Sequence, residues 1–119
     1  TFFNDIMWIN NNIKDNSIIF FNHLKPYYLN KKYKIPPAYM NEEYKKMSAD
    51  DFYEYLLSEN ISYIFEPNDA GSRFKKNINV LTNENKLNIF YENDKAKRII
   101  SRGLRQYENV GLKFYKVLK

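Results

Sequence analysis

Two short, unbroken apolar runs constrain this chain more than anything else in it: Ser17-Ile18-Ile19-Phe20-Phe21 and Ile61-Ser62-Tyr63-Ile64-Phe65. Both have the length of a strand and are rich in isoleucine and aromatic residues, as strands covered on both faces are. Such a strand needs a layer on each side, and the residues before each run supply one. Phe2, Ile6, Ile9 and Ile13 recur at helical spacing ahead of the first run, with Trp8 beside their stripe. Ahead of the second, Ser48 can cap a helix whose first turn holds Asp50 and Asp51 and whose apolar face is Phe52, Tyr53, Leu56 and Leu57. Glu59-Asn60 ends that helix, with Asn60 suited to a left-handed C-terminal position. Helix then strand, twice over, predicts two parallel strands joined by a right-handed crossover.

The remaining pattern fills out the same architecture. Residues 22–47 hold Pro26, Pro36-Pro37 and five tyrosines and read as irregular, with Tyr27-Tyr28-Leu29 a short extended piece. Ser72 is placed to cap a helix carrying Phe74, Ile78 and Leu81. Segment 84–102 reads as a helix or, over Leu87-Asn88-Ile89-Phe90-Tyr91, as a strand. The helix is favoured because helix formers continue to Arg102 and Gly103 is a natural stop. Leu104–Tyr107 and Leu112–Val117 flank Glu108-Asn109-Val110-Gly111, which predicts a closing hairpin. Alternation puts Leu112 and Phe114 on one face and Tyr115 and Val117 on the other, without saying which face is core.

The fold class expected is therefore α/β. It is a small sandwich with a mixed, mainly parallel sheet of about four strands near 17–21, 61–65, 104–108 and 112–117, the last two a C-terminal β-hairpin. Helices near 3–14, 49–59, 73–82 and 86–101 cover it. A length of 119 residues suits one domain, 1–119. Aromatics at 18% allow a core built from rings. The start at Thr1, followed at once by two phenylalanines, looks like a cut inside a longer protein.

Several chemistries are excluded. No Cys means no disulfide and no thiolate-held zinc, and no metal or cofactor is expected. Three scattered glycines form neither phosphate-loop nor dinucleotide fingerprint, and no G-x-S-x-G marks a nucleophile elbow. No run reaches the roughly 20 apolar residues that cross a bilayer, and no signal-peptide pattern is present. The adjacent acids Glu42-Glu43 and Asp50-Asp51 lack the spatial separation of a carboxylate pair, and the second pair suits a helix N-terminus.

What remains is a candidate ligand site and a basic patch. The single histidine, His23, follows the first strand, and loops at strand carboxyl ends line ligand crevices in α/β sheets. Lys25, Tyr27 and Tyr28 share its loop, and Asn68 and Asp69 follow the second strand. The bland alternative for His23 is a loop histidine bonded to backbone or water. Lys95, Lys97, Arg98, Arg102 and Arg105 form the densest basic cluster, readable as a solvated helix face or as a surface for anionic headgroups. The net charge of +5 would suit a phosphate-rich partner, although the heavy Asn, Lys, Ile and Tyr usage of an AT-rich genome accounts for it without one. Nucleic acid is not the expected partner, since no known RNA- or DNA-reading pattern accompanies the charge.

Four segments, taken in order, resemble one family. IMWINNNIKDNSIIFF (6–21) is similar to a helix leading into a first strand, and Tyr27-Tyr28-Leu29 to a tyrosine-rich piece after it. SADDFYEYLLSENISYIF (48–65) resembles a helix-then-strand unit, and YENVGLKFYKV (107–117) a closing hairpin. Together they resemble the soluble C-terminal domain of polytopic membrane glycosyltransferases that use polyprenyl-phosphate-linked sugars. That family includes dolichyl-phosphate-mannose protein mannosyltransferases and the aminoarabinose transferase of lipid A. Residues 31–47 and 71–103 fall outside the likeness. The resemblance implies an accessory domain on the extracytoplasmic face of the membrane, after the last membrane helix and non-catalytic by itself. Its partners would be the membrane-embedded remainder of the same chain and a polyprenyl-phosphate sugar or glycan acceptor. The family's catalytic acid lies in a loop between membrane helices, so no catalytic residue maps onto this chain.

Overall fold

A computed structural model describes residues 2–21, 28–35, 47–68, 74–101 and 106–119, with the backbone alone at 97–101 and 106–109. Among the described residues, three helices, α1 (Phe3–Asn12), α2 (Ala49–Ser58) and α3 (Lys75–Asn83), accompany seven strands. These are β1 (Ile18–Phe21), β2 (Lys32–Lys34), β3 (Tyr63–Pro67), β4 (Leu87–Asn93), β5 (Lys97–Ser101), β6 (Gln106–Asn109) and β7 (Leu112–Val117). Five of the strands form a mixed sheet in the order β2-β1-β3-β7-β4, and β5 pairs with β6 in a separate ribbon.

The two apolar runs lie side by side and parallel, with Ile19 opposite Tyr63, Phe20 opposite Ile64 and Phe21 opposite Phe65. Alternation then sends their side chains to two different cores. Phe20 and Ile64 join Phe52 and Leu56 of α2, Ile78 and Leu81 of α3, and Tyr115 and Val117 of β7. Ile19, Phe21 and Phe65 join Ile6 and Ile9 of α1 and Leu112 and Phe114 of β7. Both faces of β7 are therefore core, so its alternation had no solvent side to reveal. Rings dominate as the composition allows: Phe20 meets Phe52 and Phe74 edge-on at 5.6 Å, those two stack at 5.0 Å, and Phe21 stacks on Phe65 at 4.2 Å.

Two helices stop by the same device. After α2, Asn60 adopts φ 55°, its N–H reaches the Leu57 carbonyl, and the Ile61 N–H reaches that of Leu56. After α3, Asn85 adopts φ 59°, and the N–H groups of Asn85 and Lys86 reach the carbonyls of Thr82 and Leu81. Both are Schellman closures, in which a left-handed residue lets two N–H groups satisfy orphan carbonyls. Ile61 and Leu56, the two ends of the longer bond in α2, are fully buried together. Because Ile61 is spent on this closure, β3 begins two residues later than the apolar run. The N-cap of α2 is as expected, with the Asp51 N–H donating to Ser48 Oγ at 3.0 Å. The cap of α3 is not: it is Phe74, with no side-chain bond, while Ser72 lies outside the described residues.

The expected helix over 86–101 is instead β4 and β5. Asn85 closes α3 before this segment begins, and Leu87, Tyr91 and Asn93 then pair with Val117, Phe114 and Leu112 of β7. Pairing with β7, a strand with both faces in core, makes 87–93 a strand, and 97–101 continue as a strand by pairing with β6. The closing hairpin is also redrawn. β7 lies between β3 and β4, and β6 pairs with β5, with Lys97 opposite Asn109. Residues 87–117 thus form one long antiparallel pairing with a break, and Asn109 to Gly111 sit at the break rather than at a turn. There the Ala96 carbonyl accepts from the N–H groups of both Val110 (2.8 Å) and Gly111 (3.1 Å). Gly111 holds φ 79°, and a Cβ on it would come within 2.8 Å of Asn68 Nδ2.

The five-stranded sheet thus exceeds the expected four strands, with two parallel and two antiparallel pairings. The added edge strand β2 comes from the stretch read as irregular. Before it stands Lys31, whose buried ammonium bonds the exposed Asp15 at 2.5 Å and holds that carboxyl below its usual range. This bridge ties together the amino ends of β1 and β2.

Candidate functional site

The topology singles out one end of the sheet. β1 and β3 are parallel neighbours, yet the chain leaving β1 leads to β2 on one side, and the chain leaving β3 leads to β4 on the other. Adjacent strands whose connections part in this way open a crevice at their carboxyl ends, where α/β proteins bind ligands. The residues picked from sequence follow these two strands. Asn68, half-buried, is held in place by its N–H bond to the Gly111 carbonyl at 3.0 Å. Tyr28 is 68% exposed and sits beside α1, its ring edge-on to Phe3 at 5.2 Å and its carbonyl accepting from Asn10 Nδ2 at 2.7 Å. His23, Lys25, Tyr27 and Asp69 lie outside the described residues.

All three helices start at this end. Phe2, ahead of α1, packs on Phe65 near the end of β3 at 5.6 Å, whereas α2 and α3 finish beside the amino ends of β3 and β4. Helix N-termini carry partial positive charge and favour anions. Part of that preference is met internally, by Asp5 in α1 and by Asp50 and Asp51 in α2, while the first turn of α3 holds Lys75 and Lys76 and no acid.

The basic patch belongs to the same end. Leu112 pairs with Pro67, the last residue of β3, so the β5–β6 ribbon continues the sheet from the end where β1 and β3 stop. Lys95 is exposed at the root of the ribbon, and its N–H donates to Asn93 Oδ1 at 3.0 Å. Lys97 and Arg98 stand on β5, opposite Asn109 and Glu108. The reading of this cluster as one helix face is thereby replaced by a strand, and Arg102 and Arg105 lie outside the described residues.

Three constellations escaped the sequence. Asp5, buried in the first turn of α1, accepts at one oxygen from the Tyr91 hydroxyl (2.7 Å) and from Asn93 Nδ2 (2.8 Å). Burial, and next the bond to Asp5, push the Tyr91 hydroxyl up to about 12. With both donors on one oxygen, this arrangement clamps α1 to β4. A second row crosses three strands: Lys113 of β7 lies opposite Glu66 of β3 on one side and Glu92 of β4 on the other. Beyond it the buried Tyr115 hydroxyl is raised to about 12, first by burial and then by those two acids. Third, a bulge in β4 takes Phe90 out of register, leaving it 43% exposed and against both Trp8 (6.1 Å) and Tyr63 (5.5 Å), while Trp8 stacks on Tyr91 at 4.3 Å. Only spacing across 86 and 88 residues joins Asp5 to its partners, so no local motif could have signalled the clamp.

Among the described residues no cluster of His, Asp or Glu is arranged to hold a metal ion, and no helix is long and apolar enough to cross a membrane. No family model matches the chain, nor does any curated protein or solved structure.

Proposed function

We propose that this chain is an accessory domain of a membrane glycosyltransferase that uses a polyprenyl-phosphate-linked sugar. It stands on the extracytoplasmic face and is non-catalytic by itself. One observation supports the reading. Three of the four segments similar to that family, 6–21, 48–65 and the part of 107–117 that forms β7, are assembled as neighbours, α1-β1 beside α2-β3 beside β7. A likeness scattered along the sequence thus becomes one contiguous block. The domain's role is to support the membrane-embedded remainder of the chain and to present the sugar donor or glycan acceptor to it. Reading the coding sequence upstream tests this: it should encode several apolar segments of about 20 residues each. A short reading frame without them overturns the proposal.

A second reading is a binding module for an anionic ligand, such as a phosphorylated metabolite or nucleic acid. It draws on the carboxyl ends of β1 and β3, the end of the sheet at which the three described helices begin. Titration with phosphorylated sugars and with oligonucleotides at low salt tests it, and absence of binding to both ends it.

A further inference from the structure

We infer that the outer face of α1, with the Tyr28 ring upright beside it, is a binding surface for a neutral glycan. The inference rests on the sugar-transfer reading above and deepens it by placing the saccharide. Three observations carry it. The first is that α1 is built unlike the other two helices. Residues 3–12 hold one charged side chain, Asp5, and it is buried. By contrast, α2 exposes Asp50, Asp51 and Glu54, and α3 exposes Lys75 and Lys76. In place of charges α1 carries carboxamides, with Asn4, Asn11 and Asn12 exposed and Asn10 half-buried. Asn is a poor helix former, so local propensity does not account for four of them in ten residues. Nor does an AT-rich genome, which supplies Lys as readily as Asn, while 3–12 and 28–30 contain five Asn and no Lys.

The second observation is how Tyr28 is held. Asn10 grips the backbone on both sides of Leu29: its Nδ2 donates to the Tyr28 carbonyl at 2.7 Å, and its Oδ1 accepts from the Asn30 N–H at 2.9 Å. So held, Tyr28 adopts φ 69°, a left-handed backbone that is costly for a bulky residue. Phe2 is left-handed too, but there the fold gains a buried ring packed on Phe65. The Tyr28 ring stays in solvent, the most exposed of the large apolar side chains among the described residues, and stands edge-on to Phe3. Backbone strain that serves no burial is found where a side chain is held ready for a ligand.

The third observation is the chemistry of the surface so formed. Phe3, Met7 and Asn10 fall on one stripe of α1. The rings of Phe3 and Tyr28 stand at 87° with centroids 5.2 Å apart, an open corner bordered by amides. It lies at the start of α1, the end of the sheet where β1 and β3 finish. A pyranose matches this corner. The C–H side of the sugar packs on an aromatic face, and its hydroxyls, each a donor and an acceptor, pair with carboxamides that also do both. Nucleic acid or an anionic headgroup calls for Lys or Arg, and 3–12 and 28–30 contain neither. An uncharged surface fits an uncharged ligand.

The test is a titration of the 119-residue chain, followed by two-dimensional amide NMR, with neutral trisaccharides of mannose, glucose, galactose and N-acetylglucosamine up to about 20 mM. At least one should shift resonances confined to Phe3, Asn4, Met7, Asn10, Asn11 and Tyr28, with a Kd of about 1 mM. That Kd should hold between about 20 and about 500 mM salt, since no charge takes part. Tyr28→Ala and Phe3→Ala should each weaken binding about fivefold, the loss of one ring contact, while Tyr28→Phe should retain it. Lys75→Gln with Lys76→Gln, exposed on α3, should leave binding unchanged. Both rings are exposed, so the thermal midpoints of their variants should hold. No shift on this face with any of the four sugars overturns the inference. So does binding that falls with salt, a Tyr28→Ala variant that binds as well as the parent, or sedimentation showing that the face pairs two copies of the chain. Apolar segments encoded upstream together with no sugar binding overturn this placement and leave the sugar-transfer reading standing. Sugar binding without such segments overturns that reading and supports the site.

Discussion

Replacing Asp5 by Ala should loosen the whole α1 layer, by an amount the structure allows to be worked out. The carboxylate is 2% exposed and holds two donors from β4, Tyr91 and Asn93. Hydrogen bonds to a charged acceptor contribute about 1.5–3 kcal/mol each. Tyr91 and Asn93 are half-buried and recover part of their solvation, so the expected net loss is about 3 kcal/mol, near the low end for the pair. A domain of 119 residues has a total stability of roughly 6–18 kcal/mol. At about 2.1 cal/mol/K of unfolding entropy per residue, 3 kcal/mol lowers Tm by about 12 °C. Urea and thermal melts of Asp5→Ala, Tyr91→Phe and the double variant measure it. Tyr91→Phe removes the hydroxyl but keeps the ring stacked on Trp8, so the cycle isolates the bond. A coupling of at least about 1 kcal/mol is expected, whereas effects that add within about 0.5 kcal/mol mean that the clamp does not exist.

Three further outcomes follow from local geometry. Asn60→Ala and Asn85→Ala each force a Cβ residue other than Asn into left-handed backbone and should cost about 1–2 kcal/mol, with the Gly variants at either site neutral or better, as thermal melts would show. Gly111→Ala meets both a φ of 79° and the Asn68 amide, so about 1–3 kcal/mol should be lost, and adding Asn68→Ala should recover the part due to contact but not the part due to φ. Tyr91 and Tyr115 both have hydroxyls raised from 10 to about 12, so the neutral forms favour the folded state. The corresponding stability is complete below about pH 10 and is lost as pH rises to about 12. Urea midpoints should therefore be flat up to about pH 10 and fall above it, less steeply in Tyr115→Phe, and a midpoint that holds to pH 12 would refute the assignment.

Features carried by a few adjacent residues are legible in the sequence. The β1–β3 pair, the Ser48 cap and the Asn60 closure each depend on types at fixed short offsets. The same grammar stands at 84–86: Glu84-Asn85 repeats Glu59-Asn60 after a Leu at the same offset, and it ends α3 in the same way. Reading that stop would have released 87–93 to be a strand. The hairpin misled for a different reason. Gly111 does mark special backbone, but a left-handed residue serves a break in a ladder as well as a turn, and Asn109 is an ordinary strand residue paired with Lys97, so only the partner strand distinguishes the two. The candidate crevice was legible as far as strand order is, because residues after a parallel strand fall at its carboxyl end. The Asp5 clamp and the Lys113 row depend on pairings between distant segments, which no local spacing encodes.

The placement of β7 has a consequence for how the protein comes into being. It is the strand that joins β3 to β4, and it stands later in the chain than either. While the ribosome is still adding residues before Leu112, β3 and β4 have no common neighbour, and Phe65, Tyr91 and Leu87 have no ring or aliphatic chain of β7 to meet. The nascent domain must therefore keep an unzipped sheet shielded until nearly its final stretch emerges, and it should rely on holding chaperones more than a fold whose central strands are made first.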